Sequence, residues 1–457
     1  MDEQQLLALK PELDEFLDRF LPLFGWEGNQ AHARRFVAGL LHRGERRNAE
    51  NIAEAIDGAP VRSLQAFITT GSWADRDILA EMRRCALNFL ADEDAVCNCD
   101  ETGFPKKGKK SVGVKRQYSG TLGRTDNCQV AVFANYSSAK GHTFIDRRLF
   151  LPEEWADDQD RRSEAGVPAG VIFRTKPELA LEMVANAIGE QMPFRWVGGD
   201  SIYGNSPGFV QGLRDLGKCY VLDVSSDNHV WTEEPQVIPP EQRPKLRRGR
   251  THVHPLVVGK SQPVSEVIAA LPANAWRRIT VADGSQGPRV YEYAEIWVWF
   301  SEEGLPGPPE RLLARRSLGQ EPELKYHRAY AASDVPLLKL AQVRAARWTI
   351  EEDIQSAKGE CGLDEYETRG WVGWHHHTAL SMLALTFLVL QRARLGEKRA
   401  ADDRPRSTSA ARSPAGHASL GSRRDPVVVP MANGAQPTSG RRPPKATRRR
   451  AAAANAK

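Results

Sequence analysis

The sequence predicts an α/β protein, and three observations carry the prediction. From Ala95 to Val224, strand-like runs alternate with helical spacing in the order three strands, helix, strand, helix, strand. Residues 1 to about 90 keep helical spacing throughout. Late in the chain, after a β-rich segment, Arg347 to Lys358 contains neither Pro nor Gly and reads as a further helix. The expected architecture is a mixed sheet flanked by helices, with a helical N-terminal part and a β-rich insertion before the last helices.

In the N-terminal part, Leu13, Phe16, Leu17, Phe20 and Phe24 share one helical face, as do Phe36, Leu40 and Leu41. Arg34, Arg35, Arg43, Arg46 and Arg47 suit phosphate contacts and equally suit an ordinary solvated face. Strands are expected at Ala95 to Asp100, Cys128 to Tyr136, Thr143 to Leu151, Phe194 to Asp200 and Cys219 to Val224. Helices are expected at Glu178 to Ile188 and Phe209 to Leu216. Thr102 to Thr125 reads as a Gly- and Lys-rich loop just beyond Asp100, whose cations suit DNA phosphate.

Between Asp200 and Glu351 lie 150 residues, more than a single helical connection needs. Val253 to Val258, Ile279 to Val281, Arg289 to Phe300 and Arg311 to Arg315 read as β segments, expected outside the main sheet. Trp276, Trp297 and Trp299 suit a sheet's core, or stacking on an unpaired base. Ala379 to Leu390 is the longest apolar run; it is too short to span a bilayer and reads as a buried helix.

Charge is unevenly spread. The chain carries +5 over 457 residues, yet Lys398 to Lys457 holds fourteen Lys/Arg against three Asp/Glu, a net of +11. That leaves −6 for the rest, so the pI alone is no evidence of DNA binding. The tail from Ala393 is rich in Arg, Pro, Ser and Ala, and is expected to be disordered. The six Cys are scattered; Cys97-x-Cys99 lacks zinc-finger spacing and reads as buried, reduced thiols. The acidic, polar N-terminus reads as lacking a signal peptide.

Three carboxylates invite chemistry. On the helix, Ile350, Ile354, Ala357 and Cys361 form the apolar stripe expected to be buried. Arg347, Glu351 and Lys358 form a second stripe about 100° round, and Glu352 lies about another 100° on, nearer solvent. The same run also reads as a solvated face with i,i+4 pairs. Asp100 and Asp200 each end an apolar run, before glycines that break the strand, and side chains there point into a cleft. Two Asp and one Glu without a His partner suit two hard cations such as Mg²⁺. His375, His376 and His377 are adjacent and so do not converge on zinc; DNA or water contacts at a helix entrance are expected instead.

The spacing Arg347-x3-Glu351-x6-Lys358 resembles the signature around the third carboxylate of DDE transposases from bacterial cut-and-paste insertion sequences. Arg344 stands where that signature has Tyr. Asp100-x-Thr102 resembles the segment of the first catalytic Asp, and Asp200 followed by Tyr203-Gly204 that of the second. Lys106-Lys107-Gly108-Lys109 and Gly373-Trp374-His375-His376-His377 resemble family segments too. The resemblance runs from about Phe16 to Arg392.

It implies a ribonuclease-H-like core, with Asp100, Asp200 and Glu351 as catalytic residues and metal ligands. Two Mg²⁺ ions, with Mn²⁺ able to substitute, would serve cleavage at terminal inverted repeats and strand transfer into target DNA. Lys106, Lys107, Lys109, Lys110, Tyr203, Arg347 and Lys358 are the candidate DNA contacts. A homodimer on DNA, no membrane, and a cytoplasmic, nucleoid-associated bacterial location are implied. Two alternatives stay open: a ribonuclease-H-like nuclease without strand transfer, and a catalytically silent DNA-binding regulator. The expected divisions are 1–90 (helical, DNA-binding), 91–223 (first part of the core), 224–335 (insertion), 336–392 (catalytic and packing helices) and 393–457 (tail).

Overall fold

The computed structural model describes residues 3–42, 46–56, 60–244, 252–284, 287–319 and 321–402. Five helices come first: α1 (Glu3–Asp18), α2 (Glu27–Leu41), α3 (Ala49–Ala55), α4 (Val61–Thr69) and α5 (Asp75–Leu90). Strands β1 (Val96–Pro105), β2 (Lys115–Ser119), β3 (Arg124–Ser138) and β4 (Gly141–Leu149) follow. Then come α6 (Glu153–Asp157), α7 (Gln159–Ala165) and α8 (Lys176–Gly189), β5 (Trp196–Gly199), α9 (Ser201–Gly204), α10 (Pro207–Asp215) and β6 (Cys219–Val224). Thr175 starts α8 with a reciprocal cap, its side chain and that of Glu178 each serving the other's backbone N–H.

These strands lie in the order β4–β3–β1–β5–β6. β3 runs antiparallel to β1 and β4, whereas β1, β5 and β6 are parallel. This is the ribonuclease-H-like arrangement. β3 is its spine, buried continuously from Cys128 to Ser137, as a strand covered on both faces must be. The loop expected from Thr102 to Thr125 is shorter than the sequence suggested, because β1 continues to Pro105 and β2 pairs with β3.

The insertion adds β7 (His229–Trp231), β8 (Gln236–Ile238), β9 (Leu256–Val258), β10 (Gln262–Pro263), α11 (Val264–Ala269), β11 (Arg277–Gly284), β12 (Gly287–Glu302), β13 (Leu305–Arg316) and β14 (Leu324–Tyr330). It is β-rich as expected, but its place is a correction. β14 pairs antiparallel with β6, from Tyr326↔Val224 to Tyr330↔Tyr220, so the main sheet continues into it. The physical reason is that β6 would otherwise be an edge strand with unpaired backbone groups. Only β8 and β9 form a separate ribbon among the described strands.

The last three helices among the described residues are α12 (Leu337–Ala346), α13 (Trp348–Cys361) and α14 (Trp371–Asp402). α13 ends at Gly362, whose φ of 60° is the left-handed conformation that favours glycine. α14 contains the apolar run from Ala379 and reaches Asp402, ten residues into the stretch expected as tail; residues 403–457 lie outside the described residues. No helix among the described residues is long and apolar enough to cross a membrane. The N-terminal helices share one core with α13 and α14: Phe20, Phe36, Leu40 and Phe67 pack with Ile350, Cys361, Trp374 and Leu383.

Candidate active site

β1 and β5 run parallel and stay paired as far as Cys99↔Gly199. Asp200 follows β5 directly, and Asp100 stands at the matching position of β1, where β5 parts from it; Asp100 does not end its strand as the sequence suggested, because β1 stays paired with β3 as far as Pro105. Asp200 turns into α9 and caps it, Oδ1 accepting from the Ile202 N–H at 2.9 Å. The chain turns so tightly here that a Cβ on Gly204 would meet the Asp223 carbonyl oxygen at 1.9 Å. That is why Asp-Ser-Ile-Tyr needs a glycine after it.

Glu351 arrives on α13. Arg347, one turn earlier, joins it to the first carboxylate: Nη1 donates to Asp100 at 3.0 Å and Nη2 donates to Glu351. Arg347 Nε also lies 3.8 Å from Asp223 at the end of β6. One guanidinium therefore lies among three carboxylates. Lys358, two turns further along, donates to Thr102 Oγ1 at 2.8 Å and to the Gly103 carbonyl at 3.1 Å. The stripe read from the sequence thus faces β1 along its length.

Electrostatics single out the pair where β1 and β5 part. Burial pushes Asp100 up to about 7 despite the pull of Arg347, with Asp200 and Glu101 adding repulsion. Burial lifts Asp200 to about 6, and Glu101 adds the largest share of like-charge repulsion. Asp223 behaves oppositely: burial works against its charge, but His327, Arg344 and Arg347 hold it well below the usual range. His327 Nδ1 is 2.8 Å from Asp223 Oδ1, and Arg344 Nη2 donates to Oδ2 at 3.1 Å. The Arg344 that departs from the family signature is thus occupied in fixing Asp223.

Buried hard oxygen donors whose charged forms are disfavoured by burial and by neighbouring carboxylates are a set that a divalent cation relieves. Asp100 and Asp200 fit that chemistry. Among the described residues, no three His, Cys, Asp or Glu side chains already converge as ligands, and Arg347 links Asp100 to Glu351.

The other candidates separate. Lys107 and Lys109 are exposed, and Lys110 is exposed beside Glu164 at 2.7 Å. Lys106 is not a surface contact: its ammonium lies 3.5 Å from the centre of the Tyr366 ring and donates to the Tyr366 carbonyl. Burial lowers its pKa to about 8. Tyr203 is fully buried and its hydroxyl donates to Glu101 at 3.0 Å, so it supports the site from below rather than touching DNA. Glu101 also holds Lys176 at 2.9 Å. Glu352 accepts from Trp348 Nε1 at 3.1 Å and faces His142, away from Asp100.

His376 and His377 are buried and bond backbone carbonyls, His376 stacking on Trp73 at 3.6 Å, which replaces the expected DNA or water contacts. Trp297 is exposed, whereas Trp276 and Trp299 are half-buried. Of the N-terminal arginines, Arg34 pairs with Asp14 and Asp18, and Arg47 with Glu365; Arg43 lies outside the described residues. A cleft of about 840 Å³ lies elsewhere, beside Arg147, Arg148 and His375, and none of the three carboxylates lines it. Its arginines are engaged, Arg147 with Asp75 and Arg148 with Asp146 and Glu182.

The family model for DDE superfamily endonucleases matches residues 19–288. The chain belongs to that family. Asp100 and Asp200 fall inside the matched span, whereas Glu351 lies beyond its end. A curated relative, the probable transposase for insertion sequence element IS701 of Microchaete diplosiphon, is 29% identical over 220 residues. These make up 48% of this chain and 55% of that one, so the chain spans about half the length of the curated relative it matches. Among solved structures, a piggyBac transposase synaptic complex with hairpin DNA superposes with a TM-score of 0.41 at 10% identity, covering 86% of this chain and 74% of that one.

Two participants escaped the sequence reading. Asp223 lies within the short strand β6, with no glycine signal after it. Asp353 is buried on α13 beside the apolar stripe, where the sequence reading assigned it no role.

Proposed function

We propose that this DDE endonuclease is a transposase that cleaves DNA at the terminal inverted repeats of its element and joins the ends to target DNA. The observation that carries the reading is the placement of Asp100 and Asp200 at the parting of β1 and β5, with Glu351 brought to Asp100 through Arg347. Family membership and the IS701 relative support it.

Asp100, Asp200 and Glu351 would hold two Mg²⁺ ions, with Mn²⁺ able to substitute. When bound, such ions supply a nucleophilic oxygen and relieve charge at a phosphodiester undergoing in-line displacement. The protein's own contribution is positional. Arg347 can pass hydrogen bonds from the carboxylates to a phosphate oxygen, because its planar fork suits either partner. Lys358 fixes α13 against β1 and carries positive charge beside the same strand. Lys107 and Lys109 extend a basic surface beyond Asp100 and would hold the DNA backbone without reading sequence. DNA is the partner, and pairing of two ends calls for a homodimer in the DNA complex. A cytoplasmic, nucleoid-associated location follows from the same reading.

The test is an assay with the DNA ends that flank the gene, a target plasmid and Mg²⁺. Nicked ends and joined products are expected, and a pre-cleaved 3′ end should join without the first step. Nicking without joining would replace this reading by a nuclease; binding without nicking, in Mg²⁺ and in Mn²⁺, would replace it by a silent regulator.

A further inference from the structure

Beneath the catalytic helix lies a chain of buried polar side chains that site chemistry alone does not require. Asn98 of β1 and Asn135 of β3 are register partners, both without exposed surface, and Asn98 Nδ2 donates to Asn135 Oδ1 at 3.0 Å. Asn135 Nδ2 donates to Thr349 Oγ1 at 2.9 Å and to Asp353 Oδ2 at 2.8 Å, both on α13. Asp353 Oδ1 lies 2.9 Å from His142 Nδ1 on β4. Asp353 is 1% exposed. Asn98 Nδ2 also reaches the Ala346 carbonyl at 3.3 Å, at the joint between α12 and α13.

Burying a carboxylate and two carboxamides under a helix costs stability unless each finds partners, and apolar residues would pack there more cheaply. What polar contacts add is specificity. An apolar face can slide or rotate on a sheet by a fraction of a residue, whereas hydrogen bonds at fixed donors and acceptors cannot. Asp353 and Glu351 are two residues apart, about 200° round the helix. Pinning the Asp353 side to β3 and β4 therefore fixes the direction in which the opposite side presents Glu351 toward β1.

We infer that Asp353 is a positioning residue for Glu351: clamped by Asn135 and His142, it sets the rotation and register of α13 against the strand that carries Asp100. The inference deepens the transposase reading and rests on it for its catalytic consequence, but not for its structural one.

The experiment compares Asp353→Leu, an apolar near-isostere, with Asp353→Asn, which can still accept from Asn135 and meet His142 through its amide. Amide hydrogen exchange over residues 348–361, Mn²⁺ binding by calorimetry and single-turnover nicking are read in the full chain. Asp353→Leu should exchange faster over α13, bind Mn²⁺ several-fold more weakly and nick about tenfold to a hundredfold more slowly at saturating DNA, as expected for a small misplacement. DNA affinity should stay within about twofold, and Asp353→Asn should stay within about threefold of the parent rate. If Asp353→Leu does not fold, Thr349→Val against Thr349→Ser makes the same comparison, since only Ser keeps the hydroxyl. A leucine variant with the parent's exchange over α13 overturns the inference, and so does an asparagine variant as impaired as the leucine one. A parent protein that neither nicks nor binds Mn²⁺ refutes the transposase reading instead, and exchange then decides the positioning role alone.

Discussion

Asp100 is asked to carry a charge that its surroundings oppose. Its ordinary pKa of 3.8 is raised in the folded protein to about 7. A carboxyl whose folded pKa lies above its unfolded one binds more protons when folded, so stability falls as pH rises between those two values. The penalty is absent below about pH 4, grows up to about pH 7 and is complete above it. Asp100→Asn should therefore stabilise the protein at pH 8 by on the order of 1–4 kcal/mol, less whatever the Arg347 contact contributed. At pH 4 the variant and the parent should unfold alike. Urea unfolding at the two pH values checks this, and a variant less stable than the parent at pH 8 would contradict it. The elements that carry Asp100, Asp200 and Glu351 were legible because strand and helix periodicity is read from local spacing, although β1 runs on past Asp100 to Pro105. The roles of Asp353 and Asp223 were not, because their partners come from distant elements: Asn135 and His142, and His327 and Arg344. Lys106 misled for the same reason, since only the fold brings Tyr366 beneath it.

Among the elements, β14 decides how the insertion is attached. It brings Arg328 to Glu310 of β13 at 2.6 Å and to Glu302 of β12 at 2.7 Å. Arg214 of α10 reaches the same two carboxylates, at 3.1 and 2.6 Å, and Tyr220 of β6 donates to Glu310 at 2.8 Å. Glu310 has no exposed surface, so this cluster clamps the insertion to the catalytic sheet away from water. Glu310→Gln leaves two buried guanidinium groups short of a counter-charge. It should cost roughly 3–5 kcal/mol, the usual loss when one member of a buried ion pair is removed. Denaturant unfolding measures this, and a loss below about 1 kcal/mol would mean that water reaches the cluster. The strands themselves were legible from alternation and glycine breaks. Their continuation of the catalytic sheet was not, because pairing of β14 with β6 spans about a hundred residues of chain and leaves no local signal.

At the scale of the molecule, residues 1–90 were read as a domain of their own, yet Phe20, Phe36, Leu40 and Phe67 complete the core over which α13 and α14 lie. Deleting residues 1–90 should expose that apolar surface and give insoluble or unfolded protein, judged by circular dichroism and gel filtration; a folded, monodisperse remainder would restore the independent domain. The central claim is that α13 presents Glu351, and not its neighbour, to the carboxylates where β1 and β5 part. It is tested most directly by comparing Glu351→Ala with Glu352→Ala in Mg²⁺-dependent nicking of the element's terminal repeat, with DNA binding measured beside it. The structure predicts that Glu351→Ala binds the repeat but lowers nicking by at least about a thousandfold, as loss of a metal ligand should, while Glu352→Ala nicks within a fewfold of the parent. Nicking that survives in Glu351→Ala and is lost in Glu352→Ala would contradict it.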